Sequence, residues 1–265
     1  MRILFIGDIV GRIGRHALEK VLPAWRKRHE PDFIIANGEN TAGGVGITRS
    51  IAEELYETGV DVITLGNHTF AQRDAIPLLE TDARVLRPAN YPPGVPGLGC
   101  GVFPSPAGPV GVLSLMGRVF MDPLDDPFRA AETLVPLLRQ ETNCILIDVH
   151  AEATSEKAAL AWMVDGQVSA VIGTHTHVQT ADERLLPAGT AFITDVGMVG
   201  PRDGILGVQH DIIIQRFHTW MPARFELAKG AALVNAVYVD IDTQTGHATD
   251  IVRLNEVLDT PPFAK

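Results

Sequence analysis

Short apolar runs recur along the chain, and most stop at a glycine, an acid, an amide or a histidine. They are 2–7 (RILFIG), 32–37 (DFIIAN), 60–65 (VDVITL), 110–116 (VGVLSLM), 143–149 (NCILIDV), 168–173 (VSAVIG) and 190–195 (TAFITD). Continuous apolarity over so few residues predicts strands covered on both faces. Between them, helical periodicity predicts helices over 14–29, 49–58, 72–80, 128–141 and 155–165, with Gly59 as a stop signal and Ser155 with Glu156 as a start signal. Strands alternating with helices make an α/β architecture. Beyond residue 205 the runs 211–217 (DIIIQRF), 232–241 (ALVNAVYVDI) and 248–254 read as strands without intervening helices. They are expected to form an antiparallel second sheet, giving a sandwich of two β-sheets flanked by helices. The Pro- and Gly-rich stretch 88–109 reads as an irregular excursion, and 218–230 as either a capping loop or a subunit contact of a homo-oligomer.

Composition narrows this picture. The 265 residues show no shift in composition that would divide them, so one domain over 1–265 is expected. A net charge of -10 argues against long nucleic acid, whose backbone requires clustered Lys and Arg. A phosphate ligand would have to be attracted by something other than net charge, and a metal ion is the obvious source. Cys100 and Cys144 are the two cysteines; they provide neither a metal knuckle nor a disulfide framework. The first residues lack the features of a signal peptide, and no apolar stretch is long enough to cross a bilayer. A cytoplasmic enzyme without a membrane partner is the expectation.

Candidate chemistry sits at the ends of the runs. Asp8 follows RILFIG, Glu39 and Asn40 follow FIIANG, Asn67 and His68 follow VITLG, His150 ends ILIDVH, His175 and His177 follow AVIGT, and Asp195 closes AFITD. In open α/β sheets the carboxyl ends of parallel strands converge on one crevice, where ligands bind. Each residue taken alone has a plainer alternative. Asp8 reads as a helix cap or a ligand, and its loop lacks the second glycine of a dinucleotide fingerprint. Glu39 and Asn40, between Gly38 and Gly43-Gly44, read as a turn or as a carboxylate bridging two ions. His175 and His177 would point to the same side of an extended segment, as ligands or as hydrogen-bonded core histidines. Asp148 is spaced to orient His150, and Glu152 is a lesser ligand candidate. Asn67 is a weak ligand that would leave a metal electrophilic. Its neighbour His68 is left free to act as an acid, since a histidine's ordinary pKa of about 6.5 suits protonating an alkoxide.

Gly66-Asn67-His68 and Gly173-Thr174-His175-Thr176-His177 resemble the signature motifs of the calcineurin-like metallophosphoesterases. More closely, GDIVGR (7–12), NGENTAGGVGIT (37–48), GNHTF (66–70), LRPANYPPGVPG (86–97), DVHAEATSEK (148–157), GTHTHVQTAD (173–182) and ITDVGMVGPRDGILG (193–207) are similar, in order, to the YmdB-like bacterial branch, described as 2′,3′-cyclic-nucleotide 2′-phosphodiesterases. The resemblance implies a metallophosphoesterase-like sandwich. It also implies one metal ion held by Asp8, Glu39, Asn40 and His177 and a second by Glu39, Asn67, His150 and His175, with His68 as proton donor. It departs from the wider superfamily at Asp8-Ile9-Val10, where a histidine ligand is missing, and at Gly38-Glu39-Asn40. The mix of nitrogen and oxygen ligands admits iron or manganese, and the family favours iron.

The implied reaction is an in-line displacement by a bridging hydroxide between two ions about 3.5–4 Å apart, with His68 protonating the departing ribose oxygen. The expected partner is a small phosphate ester, above all a 2′,3′-cyclic nucleotide. The rivals are a phosphomonoesterase or phosphoprotein phosphatase with the same site, and a regulatory module that binds metal and nucleotide with little turnover. Loops 86–109 and 218–230 would hold the specificity.

Overall fold

Strand residues alternate between two faces, and in this chain both faces are apolar but meet different partners. A computed structural model describes residues 1–259. The strands are β1 (Arg2–Ile6), β2 (Asp8–Ile9), β3 (Phe33–Asn37), β4 (Val62–Thr64), β5 (Val85–Leu86), β6 (Cys100–Phe103), β7 (Val110–Met116), β8 (Ile145–His150), β9 (Ala170–Thr174), β10 (Arg184–Leu185), β11 (Ala191–Ile193), β12 (Met198–Pro201), β13 (Ala232–Ile241) and β14 (Ala248–Leu258). The helices are α1 (Gly11–His29), α2 (Arg49–Thr58), α3 (Ala75–Thr81), α4 (Pro127–Leu138), α5 (Thr154–Met163) and α6 (His210–Thr219). On β1, β3 and β4 the side chains of Leu4, Ile6, Ile34, Ala36 and Ile63 pack on α1, α2 and α3. Their neighbours Ile3, Phe5, Phe33, Ile35 and Val62 face Val110, Val112, Leu146, Ala170 and Ile172 of a second sheet. The far face of that sheet, with Leu113, Leu115, Ile147 and Val171, is covered by α4 and α5. The result is the sandwich of two sheets between helices that the sequence implied.

The first sheet runs β2-β12-β13-β1-β3-β4-β5 with β14 beside β13, and the second runs β10-β11-β9-β8-β7-β6. β1, β3, β4 and β5 are mutually parallel, as are β7, β8, β9 and β11. Two expectations need correction. Residues 211–217 form most of α6, not a strand. A short apolar run cannot be told from a helix by apolarity alone, and here Ile213 and Phe217, four apart, lie on one helical side against the same cavity. The C-terminal strands also do not build a second sheet. β13 inserts antiparallel beside β1 and extends the first sheet, with β14 on its other edge, and the second sheet starts instead from the excursion. That excursion crosses between the sheets, tied by Arg87, whose guanidinium donates to the carbonyls of Pro88, Val95 and Pro96.

The inner, inter-sheet face changes character along the strands. It is apolar at Phe33, Ile35, Val62, Leu146, Ala170 and Ile172, then polar at the carboxyl ends, at Asn37, Thr64, Asp148, His150 and Thr174, all buried. Both sheets thus deliver polar groups to the same end of the sandwich.

Candidate metal centre

Gly7 lets β1 leave its neighbour and place Asp8. A Cβ there would overlap the Gly197 carbonyl, and Asp8 N donates to that same carbonyl at 3.0 Å. The Asp8 carboxylate is fully buried. Its Oδ2 accepts from His175 N at 3.2 Å, whereas Oδ1 has no hydrogen-bond partner and lies 3.7 Å from His177 Nε2. Glu39 and Asn40 follow β3. Glu39 Oε2 accepts from His68 N at 2.9 Å, Oε1 lies 3.1 Å from His150 Nε2, and Asn40 Nδ2 is 3.4 Å from Oε1 and 3.2 Å from His177 Nε2. Asn67 follows β4 and turns its Oδ1 to His150 Nε2 at 3.0 Å and its Nδ2 to His68 Nε2 at 3.3 Å. His175 Nδ1 meets His150 Nε2 at 3.1 Å. The residues predicted as ligands are therefore all brought together, with Glu39 common to a group around His150 (Asn67, His175) and a group around His177 (Asp8, Asn40).

A cation fits this arrangement. His150 Nε2 faces Asn67 Oδ1, Glu39 Oε1 and His175 Nδ1 at 3.0–3.1 Å, yet one ring nitrogen carries a single proton or a single lone pair. The lone pairs around it exceed the protons available, and the unpartnered Asp8 Oδ1 adds another. Buried polar atoms are rarely left unpaired, and a metal ion takes several lone pairs at once. Donor atoms of Glu39, His150 and His175 lie within 4.8 Å of one another, as a shared ion requires. The electrostatics record the same crowding. Burial raises the Asp8 carboxyl to about 6 despite the nearby histidines. His150 is opposed by burial, but the Glu39 carboxylate outweighs this and lifts it to about 9. Burial and the charge on His150 pull His175 down to about 3. A site of buried carboxylate, amide and imidazole donors suits first-row transition metals.

The cluster opens on a cavity of about 500 Å³. It is lined by His68, Asn40, Glu152, His175 and His177 together with the apolar side chains of Leu206, Val208, Ile213, Phe217, Phe225 and Leu227. Phe225 and Leu227 thus bring the segment 218–230 to the site.

Comparison with known proteins decides the family. Residues 4–254 match the model of the YmdB-like proteins. The chain belongs to the YmdB-like family. Over 254 residues it is 49% identical to the 2′,3′-cyclic-nucleotide 2′-phosphodiesterase of Bacillus subtilis (strain 168), covering 96% of each. A solved structure of a hypothetical protein from Thermus thermophilus is 43% identical, with a TM-score of 0.91, over 98% of this chain and 100% of that one. A phosphatase from Mycoplasma pneumoniae is 32% identical, with a TM-score of 0.92, over 98% of this chain and 95% of that one.

Around its centre this YmdB-like chain carries Asp148, which the sequence spaced to orient His150, and Thr174, Thr64 and Asn37, which sequence reasoning missed. Asp148 does not touch the His150 ring directly. Its Oδ1 accepts from Thr174 Oγ1 at 2.7 Å, Thr174 Oγ1 lies 2.9 Å from His150 Nδ1, and Oδ2 accepts from Thr64 at 2.6 Å and Asn37 at 3.1 Å. Period-two spacing back from Glu39, the same spacing that relates Asp148 to His150, was the available signal for Asn37. Glu152 is not among the clustered donors; its Oε2 lies 3.1 Å from His175 Nε2, the outward nitrogen of that ring. The segment carrying the two histidines is not extended. β9 ends at Thr174, and His175 and His177 have φ of 98° and 63°. Both rings reach the centre through this left-handed loop rather than by strand alternation.

Among the described residues no helix is long and apolar enough to cross a membrane.

Proposed function

We propose that this chain is a dinuclear-metal phosphoesterase that opens 2′,3′-cyclic nucleotides to 3′-nucleotides. The observation that carries the reading is the excess of buried lone pairs around His150 Nε2, with Asp8 Oδ1 unpartnered beside it, at the mouth of a half-apolar cavity. One ion would be held by Asp8, Glu39, Asn40 and His177 and the other by Glu39, Asn67, His150 and His175, with iron ahead of manganese. When bound, such ions supply positive charge to phosphoryl oxygens and acidify the attacking water.

The chain's own residues account for the rest. His68 lines the cavity, fixed by its backbone N–H on Glu39 and by the Asn67 amide at its Nε2. It would give a proton to O2′ as the P–O2′ bond breaks, which leaves the phosphate on O3′. A binding module without turnover would have no use for that imidazole. The wall of Leu206, Ile213, Phe217 and Phe225 suits a nucleobase, and the cavity volume lies in the ordinary range for small-ligand sites. Simple phosphomonoesters would leave that wall uncovered. The 49% identical Bacillus subtilis relative, a 2′,3′-cyclic-nucleotide 2′-phosphodiesterase, supports the same substrate class.

The test is hydrolysis of 2′,3′-cyclic AMP by protein reconstituted with iron or manganese beside a metal-stripped control. Metal-dependent formation of the 3′-phosphate is expected. No turnover in protein shown to hold two ions overturns the reading in favour of monoesters or of a binding module.

A further inference from the structure

Behind the two histidines lies a buried ion pair to which the reaction gives no part. Lys157, on α5, and Asp195, just past β11, are both fully buried, with Nζ and Oδ2 2.7 Å apart. Each has a second contact on the histidine loop. Lys157 Nζ donates to the Thr174 carbonyl at 2.7 Å, and Asp195 Oδ2 accepts from Thr176 N at 3.0 Å. The pair therefore grips the backbone on either side of His175. Asp195 also accepts from Gly197 N through Oδ1 at 2.9 Å, and its carbonyl accepts from Thr180 N at 3.0 Å, so the far end of the loop is tied to the same residue. The fit is close: a Cβ at Gly173 would meet both the Thr194 carbonyl and the Lys157 stem.

His175 and His177 occupy left-handed backbone that non-glycine residues adopt only when the surroundings over-determine it. Asp8 accepts from His175 N, and the ammonium and carboxylate of the ion pair hold the Thr174 carbonyl and Thr176 N on either side. A buried ion pair is seldom needed for stability alone, since neutral replacements are often as stable. We propose that Lys157 and Asp195 are positioning residues: their ion pair holds residues 174–177 in the strained conformation that aims His175 and His177 at their metal ions. The inference rests on the reading of those histidines as ligands.

The experiment titrates metal-stripped wild type, Asp195→Asn and the double variant Lys157→Met with Asp195→Asn with Mn²⁺ by calorimetry. Melting of the metal-free proteins is followed in parallel. The double variant removes both charges at nearly constant shape. Metal affinity is expected to fall roughly 10- to 100-fold while the fold is retained, and excess Mn²⁺ should recover most of the wild-type kcat. The single variant keeps the Lys157 donor to the Thr174 carbonyl and should lie between. Unchanged affinity in the variants, with wild type binding two ions, overturns this inference alone. If the double variant does not fold, unchanged affinity in Asp195→Asn does the same. A wild type that binds no metal overturns the inference and the metal centre together.

Discussion

Gly66 is required by its neighbour: a Cβ at this position would overlap the His150 ring, so the glycine before Asn67-His68 makes room for that imidazole. Gly66→Ala should displace His150 and weaken metal binding at least tenfold, read as metal content after gel filtration. His68 stands on the other side of the argument, lining the cavity without joining the lone-pair cluster. His68→Ala should keep both metal ions and lose roughly 10²- to 10⁴-fold in kcat; loss of metal along with activity would contradict its role as acid. His150 predicts a pH dependence of the metal-free protein. Its folded pKa, about 9, lies above the ordinary 6.5, so its contribution to stability is whole below pH 6.5 and is lost as pH rises through 9. The shifts of Asp8 and His175 act below that window. Metal-stripped protein should therefore lose about 3 kcal/mol between pH 6.5 and 9 in denaturant titrations. Metal-loaded protein should be flat over the same range, because an ion then takes the place of the proton.

At the scale of elements, α6 is the exception to the rest of the fold. It buries none of its residues, and Phe217 is 71% exposed, yet with the loop behind it the helix supplies the apolar wall of the cavity. An element that adds so little to the core can be altered without unfolding the protein. Phe217→Ala and Phe225→Ala should raise KM for 2′,3′-cyclic AMP with little change in kcat, since stacking of a base on an aromatic ring is worth about 1–3 kcal/mol. Equal effects on a small phosphomonoester would show that the wall does not face the base. α6 is also where the sequence misled, because DIIIQRF is as apolar as a strand and too short for its period to decide. The parallel strands were legible for the opposite reason: most of the apolar runs end at or beside a polar residue, so RILFIG with Asp8 and ILIDV with His150 mark both the strand and the candidate ligand. β13 was legible as a strand but not as the partner of β1, since pairing between residues so far apart in the chain leaves no local signal. The same limit hid Lys157, Thr64 and Asn37, whose importance lies in contacts with distant residues, and the left-handed turn at His175 and His177, a conformation that histidine favours too weakly to mark in a sequence.

Over the whole molecule, the two sheets share an apolar core at one end and a cluster rich in lone pairs at the other. Asp8, Glu39, Asn40 and Asn67 come from the first sheet, and His150, His175 and His177 from the second. Ions at this place would join the sheets where their inner faces are polar and cannot pack as hydrophobic side chains do. The apolar inter-sheet core, with Phe5, Ile35, Val112 and Ile172 fully buried, remains without metal, so the stripped protein should stay folded. Metal binding to the folded state alone adds stability by mass action, about 4 kcal/mol at a thousandfold excess over Kd. In a chain of this size that corresponds to a rise in melting temperature of roughly 10 °C. Chelation should lower the melting temperature by that amount while leaving far-ultraviolet circular dichroism unchanged, and Mn²⁺ should restore it. The deficit should also shrink in Asp8→Asn, which removes the buried charge that is costliest without a cation. A chelated protein that melts with the loaded one would mean that the ions do not bridge the sheets, whereas collapse on chelation would mean that the apolar core between them is not sufficient.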